Sequence, residues 1–410
     1  MARQADLLSV DEARERILVR FRRLESERVR INDALGRVLA EQIAASQDLP
    51  PFANSSMDGF ALQSSSTLNA TLEHPAVLPV TELVRAGSVA QHSVGTDSCV
   101  RIMTGAPLPA GADAVIPFED VEDRGDSILV PRAVQTGACV RPAGNDVQAS
   151  QPVLSAGSFL GPPQLALLAA VGCAEAPVVR RPVVAVLSTG DELVAPGKPL
   201  RPGQIYNSNT PMLAAAVVEA GSTPRVIETT GDDPQAIADA VRTAEGADLL
   251  LTSGGASVGD FDYVTDVIGA AGELSFWKVR VRPGKPLVFG QVGDLPVMGL
   301  PGNPTSALVT FEQFARPAIR TMLGAPPLRP EIEVVLDERI DNRGGRQTYA
   351  RVRLRYASGR FHARLSGPQD SAMLLPLAAA DGLLIVPEQR AELEPGETAR
   401  VQVWRLPGQE

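Results

Sequence analysis

The period of the hydrophobic positions changes several times along the chain, and each change marks an element. Ser9 followed by Glu12 spells a capping box, and Ala13, Ile17 and Phe21 recur at helical spacing behind it, so a helix opens the chain. A second short helix is predicted over 34–43. From about residue 50 to Arg141 the texture becomes β. Short apolar runs at 76–80, 99–103, 114–117 and 127–130 are separated by glycine and proline turns. Gly161-Pro162-Pro163 then introduces a short helix over 164–171.

From Arg181 the pattern is βαβ. A buried strand over 183–187 runs into Ser188-Thr189-Gly190-Asp191-Glu192-Leu193, and a helix over 211–220 follows with Ser208 or Asn209 as its cap. A strand over 225–229 leads to Gly231-Asp232-Asp233-Pro234, with Asp233 at the N-cap and Pro234 at the first helical position. The strand over 248–252 breaks into Thr252-Ser253-Gly254-Gly255-Ala256-Ser257-Val258-Gly259-Asp260, ahead of a helix starting near Asp262. A strand over 297–300 enters Pro301-Gly302-Asn303-Pro304-Thr305-Ser306, and the helix over 305–323 carries a kink at Pro317. After Pro326-Pro327 come short strands over 331–336, 348–354, 360–365, 382–386 and 399–404, a separate small β domain that is a barrel or a sandwich. The expected class is therefore multidomain α/β plus β, its central domain built on a mostly parallel sheet.

Composition narrows the chemistry. At 410 residues the chain holds more than one domain, at roughly 100–200 residues each. Hydrophobic residues make up 44%, which is globular. A net charge of −10 with 4% aromatics argues against nucleic acid as a partner. Cys99, Cys139 and Cys173 form no CxxC pair, and His74, His92 and His362 are isolated. Chemistry therefore rests on carboxylates, hydroxyls, lysine and arginine. The polar N-terminus and the lack of an apolar run of about 20 residues lead to the expectation of a soluble, cytoplasmic protein without a membrane partner.

The carboxylates converge. Three strand ends are expected to bring Asp191 with Glu192, Asp232 with Asp233, and Asp260 with Asp262 to one edge, where open α/β sheets place ligands. Ser253, Gly254, Gly255 and Ser257 form a hydroxyl- and glycine-rich loop suited to an anion; alone it also reads as an ordinary tight turn. Lys278, Arg280 and Arg282 would share one strand face by the period of two, with Lys285 on the turn after them. They are either a solvated face or an oxyanion clamp. Asp58, before Gly59, reads locally as a turn former, and Thr104 sits on the glycine turn Met103-Thr104-Gly105. Arg141 and Asp146 flank one tight loop as a surface ion pair or as a polar site. The segment beginning at Ser371 faces a ligand cleft in one reading.

Taken together, the segments 50–61, 103–107, 188–193, 253–260, 282–286 and 299–304 resemble those of the molybdopterin molybdenumtransferase (MoeA) family, whose animal relative forms the C-terminal domain of gephyrin. The family usually carries an acid where Ala53 stands and tyrosine where Phe60 stands. Arg282 replaces a lysine of some relatives. The resemblance implies an elongated homodimer with a linker domain (1–50 with 142–180), a β-rich inserted domain (51–141), a molybdopterin-binding α/β domain (181–326) and a C-terminal β-barrel domain (327–410). It implies a transferase that takes adenylylated molybdopterin and molybdate, releases AMP and uses Mg²⁺. Asp58 and Thr104 would reach the cleft from one subunit. Glu192, Asp232, Asp262, Lys278, Arg282 and Lys285 would line it from the other, the first three as metal ligands. Arg141 and Asp146 would form a further functional loop. Ser253, Gly254, Gly255 and Ser257, with Pro301, Gly302, Asn303 and Ser306, would cradle pterin and phosphate. Transient partners would be molybdopterin adenylyltransferase and molybdoenzyme maturation proteins. The alternatives are an adenylylating enzyme, which goes with a shorter single-domain chain and a different glycine loop, and a non-enzymatic scaffold.

Overall fold

The computed structural model describes residues 7–254, 266, 267, 269, 270, 272–342 and 344–407, and for 274–277 the backbone alone. It divides into two compact units, one of residues 1–27, 36–40 and 178–410, the other of 28–35 and 41–177.

The first unit is built on a six-stranded sheet. Its strands are β1 (Val183–Ser188), β2 (Thr223–Val226), β3 (Leu249–Ser253), β4 (Gly272–Lys278), β5 (Pro286–Val292) and β6 (Leu295–Leu300), in the order β2-β1-β3-β6-β5-β4. The four strands from β2 to β6 run parallel, and β5 and β4 add an antiparallel edge. The period of two sorts the apolar side chains to two faces. Val184, Val186, Leu249, Leu251, Met298 and Leu300 pack on one side with α1 (Val10–Leu18) and α2 (Asn209–Glu219). Ala185, Leu187, Leu250 and Val297 pack on the other against α3 (Pro234–Thr243). Burial on both faces is why these strands read as continuous apolar runs.

The capping box at Ser9 and Glu12 is present in full, and Asp233 caps α3 by accepting from the Ala236 N–H. The helix after β6 starts as α4 (Pro304–Thr310), widens into a π-helical turn over Phe311–Ala315 and resumes over Arg316–Met322. Pro317 has no N–H for the Gln313 carbonyl, and the wider turn just before it accommodates that loss. Beyond it, β7 (Glu331–Leu336), β8 (Gln347–Ala357), β9 (Arg360–Leu365), β10 (Gly382–Val386) and β11 (Thr398–Val403) close on themselves in the order β8-β9-β7-β11-β10-β8. This closed five-stranded barrel decides between the barrel and sandwich readings.

The second unit holds a mixed six-stranded sheet, ordered Ala114–Pro117, Gly59–Leu62, Cys99–Ile102, Ala76–Val84, Ser127–Val130, Glu122–Asp123. Phe60, Leu62, Ile116 and Ile128 fill one apolar cluster, and Ala61, Val100, Ile102 and Val115 another. The expected helix over 164–171 is found as Pro162–Ala170.

Three expectations need correction. No helix forms over 34–43: Gly36 takes a left-handed φ of 74°, Leu39 bridges to Val178, and Ile43–Ala44 pairs with Pro152–Leu154. Extended pairing partners outweigh the modest helical preference of that stretch. The strand expected over 225–229 ends at Val226, and only an isolated bridge joins Thr230 to Thr189. Ser208 stands at the N-cap of α2, one of the two expected positions, but makes no side-chain cap bond; Asn207 supplies it, its Oδ1 accepting from the Thr210 N–H at 3.0 Å. Among the described residues, no helix is long and apolar enough to cross a membrane.

Candidate functional site

The C-terminal ends of β1, β3 and β6 lie side by side, with Ser188 opposite Ser253 and Ser253 opposite Leu300. The loops that leave them line a cleft of about 1060 Å³ in the first unit. Glu192, Asp232, Ser253, Gly254, Arg282, Lys285, Pro301, Gly302, Asn303 and Ser306 all line it. The parallel-sheet rule places a ligand crevice at this edge.

The loops are tied together by side chains. Asn209 Nδ2 donates to Ser253 Oγ at 2.8 Å and to the Gly302 carbonyl at 2.6 Å, fixing the loop after β3 against the loop after β6. Asn303 Nδ2 donates to Ser371 Oγ at 2.9 Å, and the Thr305 N–H donates to the Ser371 carbonyl at 3.1 Å. Gly254 has a φ of 100°, and a Cβ there would overlap the Thr189 carbonyl oxygen, so glycine is required on both counts. Gly284 likewise lets the Arg282–Lys285 turn lie on Thr310 of α4.

The acidic side of the cleft gathers carboxylates that repel one another. Burial, and then the charges of Asp191 and Glu192, push the Asp232 carboxyl above its ordinary value, opposed by the Asp191 backbone; the Asp232 N–H in turn donates to Asp191 Oδ1 at 3.1 Å. Among the described residues, no lysine or arginine is ion-paired with Asp191, Glu192 or Asp232. Clustered carboxylates of this kind are the donor set that hard divalent cations prefer. Among the described residues no ready-made group of three or more such ligands occurs. Gly255, Ser257, Asp260 and Asp262 lie outside the described residues.

The cationic side departs from the expected single strand face. Lys278 ends β4 opposite Pro286 and is not among the residues lining the cleft. Arg280 is drawn away: its N–H donates to the Leu8 carbonyl at 2.7 Å, and its side chain pairs with Glu388 at 3.1 Å. Arg282 sits in a separate short strand, Val281–Arg282, alongside Thr348 of β8. The bend between Lys278 and Arg282 breaks the period of two that a continuous strand would have imposed. Arg282 and Lys285 line the cleft together with Arg346 from the barrel.

In the second unit, Asp58 Oδ1 accepts from the Thr104 N–H at 2.7 Å and from Thr104 Oγ1 at 2.8 Å. These bonds hold the Asp58 carboxyl below its ordinary value of 3.8, the backbone bond first. A lowered folded value means that this contact is fully present above the unfolded value and is lost as pH falls through the folded one. Thr104→Val, which keeps the N–H and removes the hydroxyl, therefore raises the Asp58 carboxyl part of the way back. A carbon-13 NMR titration of the side-chain carboxyl checks this. Arg141 pairs by its backbone with Asn54, and Gly144 turns the loop with a φ of 68°. Among the described residues, no ion pair joins Arg141 to Asp146; both are exposed.

Tyr206, Asn207, Arg346 and Gln369 line the cleft with no sequence expectation behind them; Thr189 belongs to the expected hydroxyl-bearing strand end, and Asn209 was expected only as a helix cap. Asn207 and Asn209 flank the start of α2 at a strand-to-helix turn, which was a usable signal. Arg346 and Gln369 arrive from the barrel, and local pattern carried no sign of that. Ser371, noted as the start of a segment facing a cleft, does line it.

Three family models match in succession. They are "MoeA N-terminal region (domain I and II)" over 8–172, "Probable molybdopterin binding domain" over 185–321 and "MoeA C-terminal region (domain IV)" over 333–404. The chain is 41% identical over 408 residues to molybdopterin molybdenumtransferase 2 of Mycobacterium tuberculosis, covering 97% of this chain and 99% of that one. It is 36% identical to the molybdopterin molybdenumtransferase of Bacillus subtilis, covering 97% and 94%. The crystal structure of the molybdopterin biosynthesis MoeA protein of Pyrococcus horikosii superposes with a TM-score of 0.84 at 32% identity, covering 98% of this chain and 100% of that one. With 97% of its length matched in sequence and 98% in fold, the chain belongs to the MoeA family.

Proposed function

We infer that the protein is a molybdopterin molybdenumtransferase, which takes adenylylated molybdopterin and molybdate, breaks the phosphoanhydride, releases AMP and leaves molybdenum on the pterin dithiolene. Full-length kinship with enzymes of that name supports the activity. The observation that carries the site is the meeting of the Glu192 and Asp232 carboxylates with Arg282 and Lys285 in one cleft.

In this reading Mg²⁺ would be held by Glu192, Asp232 and Asp262 and would supply charge neutralisation at the phosphoanhydride. Lys285 and Arg282 hold oxyanion charge, whether of phosphate or molybdate. Ser253, Gly254 and the 301–306 segment receive phosphate and pterin, with Gly255 and Ser257 assigned to the same loop. Asp58, Thr104, Lys278, Arg141 and Asp146 are assigned to the same reaction by the family pattern. The wider reading comprises a homodimer, cytoplasmic location, transient contact with the adenylyltransferase that supplies the substrate and with maturation proteins that accept the product, and four domains with the boundaries given above.

The reading is tested by product stoichiometry. Wild-type protein given adenylylated molybdopterin, molybdate and Mg²⁺ is passed over a desalting column. One molybdenum retained on pterin per AMP released supports it. AMP release with no molybdenum on the pterin overturns it in favour of a simple hydrolase.

A further inference from the structure

We propose that Tyr206 is the stacking platform for the adenine ring of the adenylylated substrate, and so a specificity-determining residue for the leaving group. The inference rests on the function proposed above and names a contact within the same cleft.

Tyr206 is the one aromatic side chain among the described residues that line the cleft. That is notable in a chain with 4% aromatics. Its side chain is placed by its surroundings. The phenol Oη donates to the Lys198 carbonyl at 3.0 Å. The backbone is pinned on both sides: the Ile205 N–H donates to the Glu192 carbonyl at 2.8 Å, and the Asn207 N–H donates to the Val194 carbonyl at 2.9 Å. Residues 205 and 206 form a short parallel ladder with 193 and 194. The ring therefore stands on the same small element as Glu192. A ring held at its hydroxyl end and at its backbone loses little further freedom when a flat ligand covers it.

Tyr206 remains 46% exposed, which leaves aromatic surface open to a flat ligand. Exposed aromatic surface in the lining of this cleft suits a base that arrives on the adenylyl group and leaves with AMP. Stacking on an aromatic face tolerates this partial solvation because it needs no edge hydrogen bonds. The pterin, by contrast, carries a full set of amide-like donors and acceptors along its edge, which a rim tyrosine bonded to Lys198 does not satisfy.

The test uses the full chain and three probes: AMP, ribose 5-phosphate and a simple pterin, each measured by calorimetry against wild type, Tyr206→Ala and Tyr206→Phe. Tyr206→Ala is expected to weaken AMP about tenfold, within the range found for base–aromatic stacking. Ribose 5-phosphate and the pterin should bind it as they bind wild type, and Tyr206→Phe should retain AMP affinity. Equal AMP affinity in wild type and Tyr206→Ala overturns the proposal, as does a selective loss of the pterin or a parallel loss of ribose 5-phosphate. In turnover, Tyr206→Ala should raise KM for the adenylylated substrate with kcat little changed. An unchanged KM in an otherwise active enzyme sinks the stacking inference alone. Absence of AMP release in wild type sinks the functional reading, while the binding comparison still decides whether Tyr206 recognises adenine.

Discussion

Lys285→Ala lowers the molybdate-dependent release of AMP by about 10²–10³-fold, the usual effect of deleting one preorganised group that meets developing negative charge. Lys285 follows Gly284 on a turn seated against Thr310, and it faces the cleft with Arg282 and Arg346. The turn places the base of the side chain at the cleft, and an ammonium that meets charge developing in the transition state acts on kcat more than on substrate affinity. Lys285→Arg keeps the charge and exchanges a compact donor for a planar fork, and should recover part of the rate. Single-turnover AMP release under saturating molybdate, with circular dichroism to show an intact fold, checks both variants. A rate within a factor of two of wild type for Lys285→Ala contradicts the assignment.

Arg351→Leu destabilises the first unit by about 3–5 kcal/mol, because a buried polar network is broken on one side only. Arg351 is 1% exposed, the largest fully buried side chain of the chain's described residues. Its Nη1 donates to Thr305 Oγ1 at 3.0 Å and to the Asp370 carbonyl at 2.8 Å. Its Nη2 donates to the Pro368 carbonyl at 3.1 Å, and its Nε donates to Gln369 Oε1 at 3.2 Å. Burial pulls the pKa of this guanidinium down, with Asp370 opposing. Leucine leaves those acceptors dry and unpaired. Arg351→Lys restores the charge without the fork and should recover less than half of the loss. Urea unfolding followed by far-UV circular dichroism gives the midpoint shift at constant slope. The same residue braces the 368–371 wall of the cleft against α4, so the variant should also raise KM. A midpoint equal to wild type would mean that the hydrogen bonds to Arg351 do not form.

Much of the fold could be read in the sequence because it is locally encoded. The capping box at Ser9 and Glu12, the Asp233-Pro234 helix start and the apolar runs of β1, β3 and β6 each state their element within a few residues. The barrel strands at Glu331–Leu336, Arg360–Leu365 and Gly382–Val386 were bounded by turn residues on both sides and read correctly. The misses share a physical cause. The segment 34–43 was decided by distant strand partners, and the chain between Lys278 and Arg282 by the docking of Arg280 onto Leu8 and Glu388. Neither partner is visible in a local window. The site follows the same division. Glu192, Asp232 and Ser253 were legible because they end or follow strands of one parallel sheet, whose ends must converge. Tyr206, Arg346 and Gln369 reach the cleft through an additional short ladder and through the barrel. Contacts between elements far apart in sequence carry no periodic signal.

Cleavage of the adenylyl group is coupled to the arrival of molybdate in the reaction proposed for this chain, and AMP release from adenylylated molybdopterin by the purified protein with Mg²⁺, measured with and without molybdate, is the decisive measurement. The expected result is release that depends on molybdate and is lost in Glu192→Ala. Tight binding of the adenylylated pterin with no AMP released under either condition would contradict it.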